Sequence, residues 1–450
     1  MKISIHILAL FVTGILLSSC KKFLDVQPQD SIPDDLTIVD KASAQTALRG
    51  VYRALSSDNY YGNSFQSIGY LQGDNIQWTG SQSIVQQFID HKVKADNATV
   101  AAIWSGIYAT VNRANYIIDK VPSLEDKTFT DGDKNQLTGE AYFVRALSYF
   151  DLARTWGGVQ IVLTPTLSAT DKKGIKRSSV AETYAQVLQD LNKAESLLAL
   201  PTAQNPIRAN KETAWALLAR YYLYQKNWAQ AEAYASKVLA NTSNYQLLKP
   251  YSSFFNPSGA VATRESVFEL SYSATYTNGH RGQWQPPANG GTRQIAPNDA
   301  LVNLLNSPLI GGNRNVLIAK TSAGLWYGNL YYRSPATDPA YIIRIAELYL
   351  VRAEARAQQN NLAGALADLN AVRDRAGLAA SSAATQDDVL LAIENERRIE
   401  FALEPHRWFD LVRTGRAAAV LGLTDTNKYV LPIPATELLA DNALEQNPGY

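Results

Sequence analysis

Three segments of the chain share one spacing: an aromatic residue, a position three further on, an alanine directly after it, and another position three beyond. They are Tyr142, Arg145, Ala146 and Tyr149; Trp215, Leu218, Ala219 and Tyr222; and Tyr349, Arg352, Ala353 and Arg356, the last departing from the aromatic rule. At 3.6 residues per turn these positions share a helical face. Alanine lets two helices approach closely, while the aromatic rings fill the groove between neighbouring pairs. After Tyr222 a turn at Gln225-Lys226-Asn227 leads into a second periodic stretch from Trp228 through Ala231, and Leu362 and Ala365 repeat that stretch at identical spacing. Units that bury their faces only against neighbouring units confine the chain to a layered helical body.

The middle pair follows the tetratricopeptide pattern of helix, turn, helix. The expected fold is therefore mostly α, with tetratricopeptide-like helical pairs supporting a loop-rich ligand-binding face and few short strands. After the unit at Tyr142 the partner helix is displaced by an insertion, Trp156-Gly157-Gly158-Val159-Gln160-Ile161-Val162-Leu163, read as a turn and a short strand. The helix resumes after Ser179, where Ser179 and Glu182 form a capping box. Val180, Tyr184, Val187, Leu188, Leu191, Ala194 and Leu198 trace one apolar stripe before Pro201 stops it. Another helix is expected over residues 103–121, ending at Pro122. A further one begins after Thr385, with Asp387 and Asp388 in its positive first turn. Between the helices lie two long polar stretches rich in Gly, Asn, Pro and aromatics, residues 56–83 and 272–341. Long loops in compact domains tend to carry function.

At 450 residues the chain exceeds the roughly 250 to 300 at which single cores stop growing, consistent with two lobes or a layered body. A formal charge of +1 and 18% charged residues give no field toward nucleic acid, so no nucleic-acid partner is expected. The single cysteine, Cys20, excludes internal disulfides and thiolate metal sites. It stands where a signal peptide over residues 1–19 would end: Lys2 supplies the positive charge, residues 3–17 are largely apolar, and Leu17-Ser18-Ser19-Cys20 is the pattern of bacterial lipoprotein processing. Cys20 would then carry a diacylglycerol thioether and an N-acyl chain such as palmitate, at about 0.8 kcal/mol per buried methylene an effectively permanent anchor.

Neither metal nor cofactor is expected. His6 leaves with the signal peptide, and His91, His280 and His406 lack zinc-site spacing. Asp58 and Asp74 are the only carboxylates considered for hydrolysis, and no paired constellation accompanies them. The charged run over residues 394–413 contains Glu396, Arg397, Arg398, Glu400, Glu404, His406, Arg407 and Asp410. It reads as ion pairs and buried arginine–carboxylate contacts at a helix junction. Twenty-four tyrosines and eight tryptophans beside one methionine suit a surface that grips apolar faces while offering hydroxyl and indole donors, although most such rings belong to cores. The candidate ligand residues are Asp58, Asn59, Tyr60, Tyr61, Asp74, Asn75 and Trp78 in the first stretch, and Tyr276, Arg281, Trp284, Trp326, Tyr327 and Tyr331, with the adjoining Tyr332, in the second. Trp78 and Trp284 lead them. A shallow aromatic platform of this kind should bind near millimolar, about −4 kcal/mol.

Glu140-Ala141-Tyr142-Phe143-Val144-Arg145-Ala146, running into Tyr149-Phe150-Asp151-Leu152 and Trp156-Gly157-Gly158, resembles the SusD/RagB family. So do Glu396-Arg397-Arg398-Ile399-Glu400, His406-Arg407-Trp408-Phe409-Asp410-Leu411, Leu431-Pro432-Ile433-Pro434 with Glu437-Leu438, and the close on Gln446-Asn447-Pro448-Gly449-Tyr450. The resemblance runs from Phe23-Leu24-Asp25 to the final tyrosine. Pro405, where the family usually has glycine, and Asn442-Ala443, for a common Asn-Pro, depart from it. It implies a SusD-like half over residues 20–225 and a RagB/SusD-like half over 226–450, forming one compact body. It also implies a cell-surface lipoprotein of the bacterial outer membrane, leashed by Gln27-Pro28-Gln29-Asp30-Ser31, that binds nutrient oligosaccharides and passes them to a TonB-dependent, SusC-like transporter. Capture of oligopeptides on the same architecture and a surface glycoside hydrolase are the alternatives.

Overall fold

Most of the longer helices begin where a side chain takes up backbone N–H groups that the first turn leaves unpaired. The computed structural model describes residues 37–168, 170–255 and 262–450. The signal segment 1–19, Cys20, Phe23-Leu24-Asp25 and the leash at residues 27–31 lie outside the described residues. Met1–Val39 form one unit and Asp40–Tyr450 another, and every element below belongs to the second.

Helix α1 (Lys41–Leu55) starts at an Asp40–Ser43 capping box. The first polar stretch holds α2 (Ser64–Leu71), β1 (Ile76–Trp78) and α3 (Ser83–Ile89), so it is more ordered than the loop expected from sequence. Helix α4 (Ala98–Lys120) runs into a tight turn at Val121–Ser123 that contains Pro122. Helix α5 (Asp131–Trp156) ends at Gly157, whose φ of 79° suits glycine. The Ser179–Glu182 capping box opens α6 (Val180–Leu197), as its sequence indicated. Then come α7 (Lys211–Tyr224), α8 (Trp228–Leu239), β2 (Ser266–Leu270), α9 (His280–Trp284), β3 (Ile295–Pro297), α10 (Asp299–Asn306), β4 (Ile318–Lys320), β5 (Trp326–Gly328) and β6 (Ala340–Arg344). The remainder is α11 (Ile345–Gln358), α12 (Leu362–Arg375), α13 (Gln386–Glu400), α14 (Arg407–Arg413), α15 (Ala417–Leu421) and α16 (Ala435–Ala440). Thr385 caps α13 in a box with Asp388.

The pairs α7–α8 and α11–α12 share one turn. Lys226 and Asn360 each take a positive φ, 55° and 61°, and the asparagine that follows, Asn227 or Asn361, caps the next helix. Contacts run continuously from α1 to α4, α5, α6, α7, α8, α11 and α12, with α13 against α11 and α12. The architecture is mostly helical, and among the described residues the strands form three two-stranded antiparallel sheets. Three of the repeat positions are also ion-pair positions: Arg145 reaches Asp190 of α6 at 2.8 and 2.7 Å, Arg352 reaches Asp368 of α12 at 2.8 and 2.7 Å, and Arg356 reaches Glu232 at 2.8 Å and Asp368 at 2.9 Å.

The insertion after α5 also differs from its sequence reading. Residues 159–163 form a turn-linked extended segment with no strand partner. Side chains take the place of a neighbouring strand: the Tyr149 hydroxyl donates to the Val162 carbonyl and accepts from its N–H, Asn115 donates to the same carbonyl at 3.0 Å, and the Tyr108 hydroxyl donates to that of Gln160 at 2.7 Å. The extended backbone is thereby satisfied without a sheet.

The charged run is structural, as its spacing indicated. Glu400 is buried among Arg314, Arg344 and Arg375, with Arg314 Nε and Arg344 Nη1 both at 2.8 Å. Arg344 also meets Glu265 at 3.0 Å and Glu404 at 2.6 Å. The C-terminal motifs act as fasteners too: Trp156 Nε1 donates to the Pro432 carbonyl at 2.9 Å, and Asn447 Nδ2 donates to the carbonyls of Trp156 and Leu431.

Candidate functional site

Strand β1 pairs antiparallel with β3, setting Trp78 opposite Ile295, and this joins the two polar stretches more than two hundred residues apart. Thr79 N donates to the Gln294 carbonyl at 2.8 Å, Gly279 N to that of Gly62 at 3.0 Å, and Asn298 Nδ2 to that of Asp74 at 3.0 Å. Strand β5 lies against β3. The candidate residues therefore meet on one side of the body, but they divide sharply by burial.

Several turn inward, which corrects their reading as ligand contacts. Tyr60 and Tyr61 are fully buried and both donate to Asp151 Oδ2, at 2.6 and 2.7 Å, because that buried carboxylate needs donors. Asn75 is buried and exchanges hydrogen bonds with Arg398, accepting from its Nε and donating to its carbonyl. Trp284 is buried against the ring of Tyr70, centroids 5.3 Å apart, and against Gly328, where any Cβ would collide with the indole. Tyr331 is buried, donates to Gln66 Oε1 at 3.1 Å and stacks on His280, whose imidazole burial pushes down to about 4.

Others face outward but are occupied. Tyr276 donates to the Ser56 carbonyl at 2.7 Å, carries the Arg53 guanidinium over its ring and packs on the tilted ring of Tyr272. Arg281 donates to the carbonyls of Tyr332 and Asn289. Asp74 meets Arg407 at 2.7 Å and Arg398 at 3.1 Å. Burial would raise its pKa, but the Arg407 hydrogen bond and the two positive charges prevail and hold it below the usual carboxylate range. A carboxylate kept ionised in this way is not a proton donor.

Asp58 and Asn59 are exposed, and Trp78, Trp326 and Tyr327 are half-buried. Trp326 carries the Lys320 ammonium over its ring at 4.7 Å. Trp78 lines a cleft of about 160 Å³. One wall is the face of α2 bearing Ser64, Ser67, Ile68 and Leu71; α3 supplies Val85 and Phe88, and α9 supplies Gln283. Trp78 Nε1 and Gln283 Oε1 are buried without a hydrogen-bond partner, each at a cost of about 1 to 3 kcal/mol. Gln283, Asn63 and Gln82, which also line the cleft, escaped the sequence reading. The only available signal was the i, i+3, i+4, i+7 spacing of the α2 wall. A larger cleft of about 390 Å³ lies on the helical side, lined by Glu354, Glu394, Arg397, Asp410, Arg413 and Arg416. These residues pair with one another or with Arg407. Among the described residues no group of three His, Cys, Asp or Glu is placed to hold a metal, and no helix is long and apolar enough to cross a membrane.

Helical pairs thus stack beneath a face of zipped loops that carries the Trp78 cleft. Residues 22–223 match the family described as "Starch-binding associating with outer membrane", and residues 305–427 match the SusD family. SusD-like protein P38 of Formosa agariphila is 26% identical over a match covering 100% of this chain and 99% of that protein. The crystal structure of a SusD superfamily protein from Bacteroides thetaiotaomicron superposes with a TM-score of 0.79 at 25% identity, covering 91% of this chain and 100% of the other. A laminarin-binding SusD-like protein does so with a TM-score of 0.79 at 25% identity, covering 92% and 100%. The chain belongs to the SusD/RagB family.

Proposed function

We propose that this protein is a cell-surface lipoprotein, anchored in the outer membrane through acyl chains on Cys20, that captures nutrient oligosaccharides without cleaving them. It delivers them to a TonB-dependent, SusC-like transporter. The observation that carries the reading is the cleft where β1, α2, α3 and α9 meet, with a half-buried tryptophan beside uncharged polar side chains and two unpaired polar atoms. Sugars present apolar C–H faces and a fringe of hydroxyls, which that mixture of surfaces complements. The laminarin-binding relative and the starch-binding family description support a carbohydrate ligand. Asp74, committed to Arg407 and Arg398, gives hydrolysis no support.

Calorimetric titration of the mature protein against a panel of oligosaccharides should find a ligand, with no reducing ends released on prolonged incubation. Trp78→Ala is expected to weaken binding about thirty-fold, the ~2 kcal/mol of an anchoring aromatic, while the unfolding temperature stays near that of the wild type. Unchanged affinity in that variant would place the ligand elsewhere.

A further inference from the structure

Among the described residues, the walls of the Trp78 cleft contain no ionisable side chain: beside the Trp78 indole, their polar side chains are those of Asn63, Ser64, Ser67, Gln82, Thr99 and Gln283. The rest of the protein is rich in charge, with guanidinium–carboxylate pairs through its core, so a wholly uncharged lining sets this surface apart. Two polar atoms in it, the Trp78 indole N–H and Gln283 Oε1, are buried and unpaired. One is a donor and the other an acceptor. At about 160 Å³ the space falls below the roughly 300 to 1,000 Å³ of pockets that enclose drug-sized ligands. Gly80 packs so closely on the benzo edge of the Trp78 indole that a Cβ there would collide with it, so the ring is flanked on that side by its own chain.

Building on the carbohydrate reading of this site, we infer that the cleft seats a single uncharged sugar ring, the end or a side branch of a neutral oligosaccharide, and rejects uronic-acid and sulfated sugars. Hydroxyls of that ring bond the polar side chains that the lining leaves open, those of Asn63, Ser64, Gln82, Thr99 and Gln283, while the unpaired Trp78 Nε1 and Gln283 Oε1 lie behind that surface. The half-buried Trp78 ring and Val85 receive the C–H faces. A carboxylate or sulfate entering the same space loses its water and finds no cation in the lining, a desolvation that nothing offsets. Because only one ring is enclosed, further rings add little to affinity.

The test is calorimetry on the mature protein with neutral gluco-, manno-, galacto- and xylo-oligosaccharides from disaccharide to hexasaccharide, beside oligogalacturonate and sulfated galactan fragments of matched length. A neutral series should bind with a Kd that changes by less than about threefold with length, and acidic fragments should bind at least about tenfold more weakly. Trp78→Phe, which keeps a ring but shrinks its apolar face, and Gln283→Leu, which removes the amide, should each weaken neutral binding about tenfold, with unfolding temperature measured alongside. The length series needs no variant and decides the matter if either fails to fold. Affinity rising about tenfold with length, or acidic fragments binding as tightly as neutral ones, overturns the single neutral ring and leaves carbohydrate capture standing. Oligopeptide binding with no sugar bound at all overturns both.

Discussion

Glu400→Gln is expected to lower the free energy of unfolding by about 3 to 5 kcal/mol, the cost of breaking a buried ion pair from one side. Glu400 is 1% exposed and lies within hydrogen-bonding distance of Arg314, Arg344 and Arg375. The substitution removes the charge that balances three guanidiniums. It also turns an amide NH₂ toward groups that can only donate. Glu265, Glu396 and Glu404 remain, yet each already serves one of the same arginines. Chemical denaturation of wild type and variant measures the difference. The exposed pair Lys249–Asp374, with side chains 58% and 74% exposed, is the control, because Asp374→Asn should change stability by less than about 1 kcal/mol.

The same network sets the response to acid. Burial would push the Glu400 carboxyl up, but Arg375, Arg314 and Arg344 outweigh it and hold it at about 2, and Arg220 holds buried Glu347 at about 2. Both folded values lie below the ordinary 4.5, so the stability they contribute is present above about pH 4.5 and is lost as pH falls toward 2. Glu404, raised by burial, has the opposite sign and recovers a part. The histidines act earlier: burial lowers His280 to about 4 and His406 to about 3. Below pH 6.5 the unfolded chain gains protons that the folded one refuses. The unfolding temperature should therefore begin to fall just below pH 6.5 and steepen below about 4.5. Each such group contributes up to about 1.4 kcal/mol per pH unit.

What the sequence made legible was local. The capping boxes at Ser179 and Thr385, the stop at Pro122 and the turn at residues 225–227 depend on neighbours within four positions, and the helices begin and end there. The arginine–glutamate run was recognisable as structural from its spacing, but its partners Arg314, Arg344 and Arg375 lie 25 to 86 residues from Glu400 and carry no local signature. The direction of the loop aromatics was hidden for the same reason. Tyr60 and Tyr61 point inward because of Asp151, about ninety residues on, and Tyr331 does so because of Gln66. Gln283 gains its place only once β1 and β3 pair and bring α9 beside α2.

Trp284→Ala should cost about 3 to 5 kcal/mol of stability, as truncation of a large buried aromatic does. The indole is 1% exposed, packs on Tyr70 of α2 and fills the space that Gly328 of β5 leaves open. Next to it Gln285 Nε2 donates to the carbonyls of Gly328 and Tyr331, both at 3.1 Å, so one short helix ties α2 to the β5 segment. Removing the ring empties that junction, and Trp284→Phe should recover much of the loss by refilling part of it. Sugar affinity in Trp284→Ala should also drop, because Gln283 precedes the emptied site and loses its support. In that variant the denaturation midpoint and the affinity move together, whereas Trp78→Ala moves the affinity alone. The pair of measurements separates a tryptophan that shapes the cleft from one that lines it, a distinction that two aromatic residues in polar loops do not reveal in the sequence.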